Sequence, residues 1–232
     1  MTRVLVPVAV LDGETVSAGL VNLLATMDVT VLGYHEIPEQ TPPDQARAQF
    51  GARATEALED LGEEFRSAGG DADHRLVFTQ DREQSIDRVA DDVGAAAYGI
   101  TGVTGEVEQL LVTVTGEVDV ERIIDFVVEL IGEREIGVTL FAAGESASDG
   151  RLETASERLA DAGIETQTRR AEGRPFDALI DAMPDHDAIV MGERAPSLSS
   201  LVFGAEAERV AAASVGPVLV VRSEAERSES SE

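Results

Sequence analysis

Three glycines spaced three residues apart are the first feature of this sequence with a possible chemical role. Gly99, Gly102 and Gly105 follow a short apolar run. A glycine-rich turn after a strand can bring backbone N–H groups close to a phosphate. The spacing differs from the G-x-G-x-x-G dinucleotide pattern, and no helical pattern follows directly. It therefore favours a turn that replaces a missing segment over a phosphate-binding loop.

Histidines are the next candidates, because imidazole can serve in metal binding. The chain has three histidines, and two of them, His74 and His186, lie among aspartates. Together with carboxylates they could hold a divalent cation. However, no H-x-x-H or H-E-x-x-H spacing is present, and the two residues lie in different halves of the chain. We therefore interpret both as solvated loop positions and predict no metal site.

The composition excludes several other kinds of site. The 232 residues include no cysteine, which rules out thiolate metal sites and a cysteine nucleophile. All 18 basic residues are arginines, so the lysine of a phosphate-loop ATPase is missing. No nucleophile has a partner base at a suggestive spacing. We therefore predict that the protein is not an enzyme.

The charge balance is strongly acidic, with 45 Asp and Glu residues and a formal net charge of −27. Such a surface repels polyanions, so we expect no nucleic-acid partner. At molar salt the Debye length falls to about 3 Å, which screens the repulsion among exposed carboxylates. An acidic composition without lysine resembles that of proteins from salt-accumulating halophilic archaea.

Membrane and export signals are not apparent. No stretch reaches 18 consecutive apolar residues, and the apolar run at residues 4–10 is too short for a signal peptide. We therefore expect a soluble, cytoplasmic protein that is not an integral membrane protein.

The elements that would position a site alternate between strand and helix. Apolar, β-branched runs and helical spacings predict strands at 4–10, 29–35, 74–79 and 95–100, with helices at 14–27, 44–68 and 83–93. This order is typical of an α/β fold in which a Rossmann-like parallel sheet carries helices on both faces.

The same order begins again at residue 109, which predicts two tandem copies of one domain. Further strands are predicted at 109–114, 136–142, 164–170, 188–191 and 217–221, with helices at 118–131, 151–162, 175–183 and 205–213. We predict a first domain at 1–105 that lacks its fourth helix and fifth strand. A second domain at 106–223 and a disordered acidic tail at 224–232 complete the chain.

The second domain resembles the universal stress protein family. Three segments carry the resemblance: AIVMGERAPS at 188–197, FGAEAERV at 203–210 and GPVLVVR at 216–222. RVLVPV at 3–8 and His35, at the end of the second predicted strand, are similar to the family pattern of the first domain. The resemblance implies a Rossmann-like fold, commonly dimeric, with a stress-response or regulatory role.

The resemblance also implies a nucleotide site of the kind that only some family members keep. In this chain the candidate residues are Thr115, Met191, Gly192, Arg194, Gly204 and Ala205. Several positions depart from the family pattern: Ala195 replaces a glycine, Ala205 a small hydroxyl residue and Thr115 the nucleoside-contacting Asp, while Glu206 adds a carboxylate. In the first domain the Asp position is Ala9, and the glycine loop is missing. We therefore interpret the site as degenerate.

Three hypotheses for function follow. The preferred one is a non-catalytic regulatory protein of the stress response that needs no cofactor and acts by binding a protein partner. The alternatives are an ATP or AMP sensor that uses the second domain, and a soluble regulator of a membrane transporter. We also expect the two domains to form an internal pseudo-dimer. The strand at 217–221 would cross to the other domain or pair between chains in a homodimer.

Overall fold

The chain forms two compact units, one spanning Met1–Thr101 and the other Gly102–Glu232. The structure is a computed structural model and describes residues 1–144, 150–193 and 216–223. In each unit parallel strands form a sheet against which helices pack. This confirms the α/β class predicted from the alternating pattern.

In the first unit four strands lie in the order β3-β2-β1-β4. The strands are β1 (Arg3–Ala9), β2 (Asp28–Glu36), β3 (Asp71–Thr79) and β4 (Ala97–Ile100), and the helices are α1 (Ala18–Leu23), α2 (Pro43–Ser67) and α3 (Arg82–Val93). Because the chain moves outward from β1 to β3 and then returns to the other side of β1 as β4, the switch point of this sheet lies between β1 and β4.

The second unit repeats this order and extends it by one strand, as β9-β8-β5-β6-β7. Its strands are β5 (Gln109–Thr113), β6 (Gly137–Ala143), β7 (Thr166–Ala171), β8 (Ala188–Gly192) and β9 (Val218–Val221), and its helices are α4 (Val120–Ile131), α5 (Arg151–Asp161) and α6 (Pro175–Ala182). The switch point here lies between β5 and β8. The helix predicted at 205–213 lies outside the described residues.

Helix α4 is held by a cap at its N-terminus and by its buried apolar face. The side chain of Asp119 accepts a hydrogen bond from the backbone N–H of Arg122 and so caps the helix at its N-terminus. One face buries six apolar side chains: Ile123, Ile124, Phe126, Val127, Leu130 and Ile131. Each such side chain contributes about 1.5–3 kcal/mol when fully removed from water, so α4 is firmly fixed beside the end of β8.

Helix α1 begins later than the apolar spacing predicts. The Ser17 side chain accepts a hydrogen bond from the Leu20 N–H at 3.3 Å, which starts the helix at Ala18 rather than at Glu14. A turn of 3₁₀ helix at Leu24–Thr26 then ends the element. As a result, residues 10–17 form a loop after β1.

The connection out of β4 is short. Residues 101–108 contain neither helix nor strand, in agreement with the predicted loss of a fourth helix and fifth strand from the first domain. Gly102 has no room for a side chain, because a Cβ would lie 2.3 Å from the carbonyl oxygen of Gly216. The glycine at this position therefore reflects close backbone packing within the second unit.

None of the helices in the described ranges combines the length and the apolar character needed to cross a bilayer.

Candidate functional site

The candidate site of the second unit lies where β5, β6 and β8 end. Parallel pairing places Thr113, the last residue of β5, opposite Phe141 of β6 on one side and Met191 of β8 on the other. The loop from β5 to α4 crosses this edge. Ligands of open α/β sheets bind at the carboxyl ends of the strands, beside the switch point, so the predicted Thr115, Met191 and Gly192 are brought together at a suitable place.

Gly192 is packed against apolar side chains. A Cβ at this position would lie 2.9 Å from Val118 Cγ1 and 3.0 Å from Ile123 Cδ1. Its backbone does not have the positive φ that would itself require glycine. The missing side chain therefore lets α4 and the loop before it approach β8 closely, and the space beside Gly192 is already filled.

Thr115 faces inward. It is 4% exposed, and its hydroxyl oxygen accepts hydrogen bonds from the Ala143 N–H and from the Thr113 hydroxyl, both at 3.1 Å. These bonds tie the loop after β5 to the end of β6. Both acceptor positions of the Thr115 oxygen are thus used inside the protein.

The Arg151 side chain holds the same loop from its surface side. Arg151, the first residue of α5, donates a hydrogen bond from Nη1 to the carbonyl oxygen of Gly116 at 2.7 Å. Gly116 has a φ of +86°, a conformation that glycine adopts without strain. The loop between β5 and α4 is therefore fixed by Thr115 from within and by Arg151 from its surface.

A small cleft lies beside Gly192, between the loop before α4 and the end of β9. It encloses about 230 Å³, including space open to solvent, and is lined by Glu117–Asp119, Arg122, Ile123, Gly192, Glu193 and Val221–Ser223. The Glu193 carboxylate accepts hydrogen bonds from Ser223, from the backbone N–H at 2.8 Å and from the hydroxyl at 3.3 Å. Arg222 is only 4% exposed. Three carboxylates and two guanidinium groups line this cleft.

Comparison with known proteins finds a family match for part of the chain. The sequence profile of the universal stress protein family matches residues 132–222, which include β8, β9 and Gly192. The crystal structure of a universal stress protein from Archaeoglobus fulgidus DSM 4304 superposes with a TM-score of 0.62 at 16% identity, covering 95% of this chain and 98% of that one. The family match therefore covers most of the second unit, and the likeness over the whole chain is one of fold.

A second solved structure agrees in fold with this chain. It is a protein of unknown function from Pseudomonas aeruginosa PAO1, with a TM-score of 0.55 and 17% identity over 97% of this chain and 94% of that one. At such identities the likeness concerns the fold. A search of curated proteins found no significant match.

The six predicted site residues divide into two groups. Thr115, Met191 and Gly192 meet at the edge of the second sheet, where each is buried. The other three, Arg194, Gly204 and Ala205, lie outside the described residues, as does Glu206. The geometry of the site thus rests on the strand ends and on the loop before α4.

The first unit has a corresponding crevice between the ends of β1 and β4, and a carboxylate fills it. Glu14 Oε2 accepts a hydrogen bond from the Ala9 N–H at 2.6 Å, and Glu14 Oε1 accepts one from the Thr101 hydroxyl at 2.6 Å. The sequence pattern missed this residue because it placed Glu14 inside a helix. Ser17, a favoured N-cap residue directly before the apolar face, is the signal that separates Glu14 from α1.

Tyr34 lies at the end of β2, beside this crevice. Burial raises the pKa of its hydroxyl; the nearby Arg82 guanidinium lowers the pKa, and the Glu14 carboxylate raises it. Arg82 lies 5.5 Å from the Tyr34 ring centroid and donates a hydrogen bond to its hydroxyl at 3.4 Å. The edge of the first sheet is therefore occupied by paired side chains of the chain itself.

Each of the three histidines lies in or beside a regular element and contacts other parts of the protein. His74 lies inside β3, so its assignment to a loop was wrong, because β3 begins three residues earlier, at Asp71. His186 follows the short 3₁₀ turn at Met183–Asp185, with its Nδ1 2.9 Å from the Ala182 carbonyl oxygen. His35 meets Phe50 and Phe78 edge-on. In the described part of the chain, no three His, Asp or Glu side chains are grouped to hold a metal ion.

Proposed function

We propose that this chain is a non-catalytic, cytoplasmic regulator of the stress response that acts through a protein partner, and that its second unit does not hold a nucleotide. The match of residues 132–222 to the universal stress protein family supports the stress-response role. The observation that argues against a bound nucleotide is the packing of Val118 and Ile123 against Gly192. A ligand that approached this strand end from the side of α4 would meet these two side chains.

The polar groups nearby support the same conclusion. A nucleoside bound at the strand end would need an acceptor, but the Thr115 hydroxyl accepts bonds from Ala143 and Thr113 instead. The Glu193 carboxylate faces the same cleft and is engaged by Ser223. Two like charges 4 Å apart interact unfavourably by about 1 kcal/mol in water and by several times that near a protein surface. A polyphosphate beside Glu193 would meet this repulsion.

Calorimetric titration of the full chain with ATP, AMP and Mg²⁺ in molar KCl tests the proposal. We expect no heat of binding at nucleotide concentrations up to about 1 mM, the range in which weak sites still bind measurably. Phosphate release from ATP, measured in parallel, should not exceed that of the buffer. A dissociation constant below roughly 100 µM would overturn the proposal.

The second candidate function, an ATP or AMP sensor, is favoured by one observation. Arg122 and Arg222 both line the cleft beside the N-terminus of α4, and guanidinium groups are well suited to phosphate. If a nucleotide binds there, Arg122→Met should weaken binding at least tenfold. Arg53→Met, which removes the same charge from an exposed position on α2, is the matched control and should leave binding unchanged.

A further inference from the structure

We propose that the crevice of the first unit is a carboxylate-binding site whose resident ligand is Glu14 of the same chain. Each oxygen of the Glu14 carboxylate has its own donor: the Ala9 N–H at the end of β1, and the Thr101 hydroxyl just after β4. The two donors come from the strands that flank the switch point, the place where open α/β sheets hold ligands. This inference concerns the first unit and does not depend on the function proposed for the second.

The backbone after β1 is shaped to return Glu14 to this position. The Asp12 N–H donates to the Ala9 carbonyl oxygen at 3.0 Å, which closes a tight turn. Gly13 then has a φ of +78°, in the left-handed region that other residues enter at a cost. The turn and the glycine together reverse the chain, so that the side chain of the next residue lies over the end of the strand it has just left.

The donor set defines the chemistry of the ligand. Two donors, one on each oxygen, satisfy a planar carboxylate, and hydrogen bonds to an ionised acceptor are roughly twice as strong as neutral ones. A phosphate has more oxygen atoms than this pair of donors can serve. The Arg82 guanidinium lies over the Tyr34 ring and donates a hydrogen bond to the Tyr34 hydroxyl. Once Glu14 is shortened, the ligand of the right class and size is therefore a small monocarboxylate such as acetate or formate.

Occupation by Glu14 has two consequences. It closes the switch point of the first unit to an outside ligand. It also joins the loop after β1 to Thr101, the last residue of the first unit, across a sequence separation of 87 residues. The two hydrogen bonds of Glu14 therefore fix the position of Thr101 at the end of the first sheet.

Thermal unfolding of Glu14→Ala, with and without acetate, tests the proposal. Loss of the two charged hydrogen bonds should lower the Tm of the full chain by roughly 5 °C. Potassium acetate at about 100 mM, compared with KCl at equal ionic strength, should restore at least half of this loss through binding. Saturation-transfer NMR should show the acetate methyl group bound to Glu14→Ala and not to the wild-type chain.

Two variants control for general effects of charge and of anions. Glu83→Ala removes an exposed carboxylate from the first turn of α3 in the same unit and should show neither the loss nor the rescue. Adding Thr101→Val to Glu14→Ala removes one of the two donors and should abolish the rescue. Equal acetate effects in all variants, or an unchanged Tm in Glu14→Ala, would refute the proposal.

Glu14→Gln covers the case in which the alanine variant does not fold. Its amide keeps one acceptor oxygen and fills the crevice, so the chain should fold with a Tm between those of wild type and Glu14→Ala. Acetate should not raise this Tm, because the crevice is still occupied. A Tm equal to that of wild type would show that the charge of Glu14 is not used, and would also overturn the assignment of a carboxylate site.

Discussion

Replacing Gly192 by alanine tests whether this glycine serves packing or ligand binding. The new methyl group would lie 2.9–3.0 Å from atoms of Val118 and Ile123, well inside normal contact distance. The contact with Val118 includes its Cβ at 3.0 Å, which is fixed to the backbone, so the loop before α4 must move to relieve it. Overpacking of this kind costs about 1–3 kcal/mol.

The structure also predicts which second change relieves the strain. Val118 is half-buried, so Val118→Ala alone should cost about 1 kcal/mol for its two lost methyl groups. In the double variant the alanine at 192 occupies the space that the valine methyl groups leave. The double variant should therefore be about 1–2 kcal/mol more stable than the sum of the two single changes.

Urea unfolding of the four proteins, followed by circular dichroism, measures this coupling. Val16→Ala with Gly192→Ala is a suitable unrelated pair, because Val16 is buried in the first unit and should add to Gly192→Ala without coupling. Additive effects of Gly192→Ala and Val118→Ala would refute the packing explanation. Such a result would return Gly192 to the set of residues kept for a ligand.

Three further predictions concern the rest of the molecule. Thr30 is fully buried in β2 and its hydroxyl has no hydrogen-bond partner, so Thr30→Val should raise the free energy of unfolding by about 1 kcal/mol. The control Thr30→Ser keeps the hydroxyl and loses a methyl group, so it should lower the free energy of unfolding. A destabilised valine variant would contradict the reasoning. With a net charge of −27, the Tm should rise between 0.1 and 2 M KCl because salt screens the repulsion among the carboxylates. Sucrose at equal osmolality is the control that separates charge screening from solute exclusion. A flat or falling Tm in KCl would count against a halophilic origin. The pKa of Tyr34 is raised in the folded protein, so the unfolded chain releases the phenol proton first. The contribution of Tyr34 to stability is therefore complete below about pH 10, the ordinary pKa of tyrosine, and is lost as pH rises through the folded-state pKa. Ultraviolet titration should show that Arg82→Leu raises the pKa of Tyr34 further, and a lowered pKa would be inconsistent with the Tyr34–Arg82 contact.

Much of the fold follows from local pattern. The run of β-branched residues at 4–10 and the apolar spacing after Asp119 correspond to β1 and α4, because a buried parallel strand and an amphipathic helix each need that periodicity. The boundaries were less accurate where a cap decides them, as at Ser17, or where a polar stretch still pairs in a sheet, as at Asp71–Asp73. Charged residues in β3 are tolerated because it is the outer strand of its unit.

The site was predicted less completely than the fold. The family pattern indicated Thr115 and Gly192 as candidate site residues, and the structure places both at the strand ends. The family pattern did not indicate that the Thr115 hydroxyl faces Ala143, since residue type alone does not set the direction of a side chain. Glu14, Glu193 and Arg151 were missed because their partners are 87, 30 and 35 residues away in sequence.

The sequence by itself determined the alternating order of strands and helices, the acidic and lysine-free composition, and the family signature at 188–222. These depend on residue types and on short-range spacing, which a linear pattern contains. Only the tertiary structure decided that Gly192 is covered by Val118 and Ile123, and that Glu14 fills the crevice between β1 and β4. The sequence shows a glycine at position 192 but not whether a ligand or a side chain lies against it. The Glu14 carboxylate gains both of its hydrogen-bond donors only when the fold brings the ends of β1 and β4 side by side.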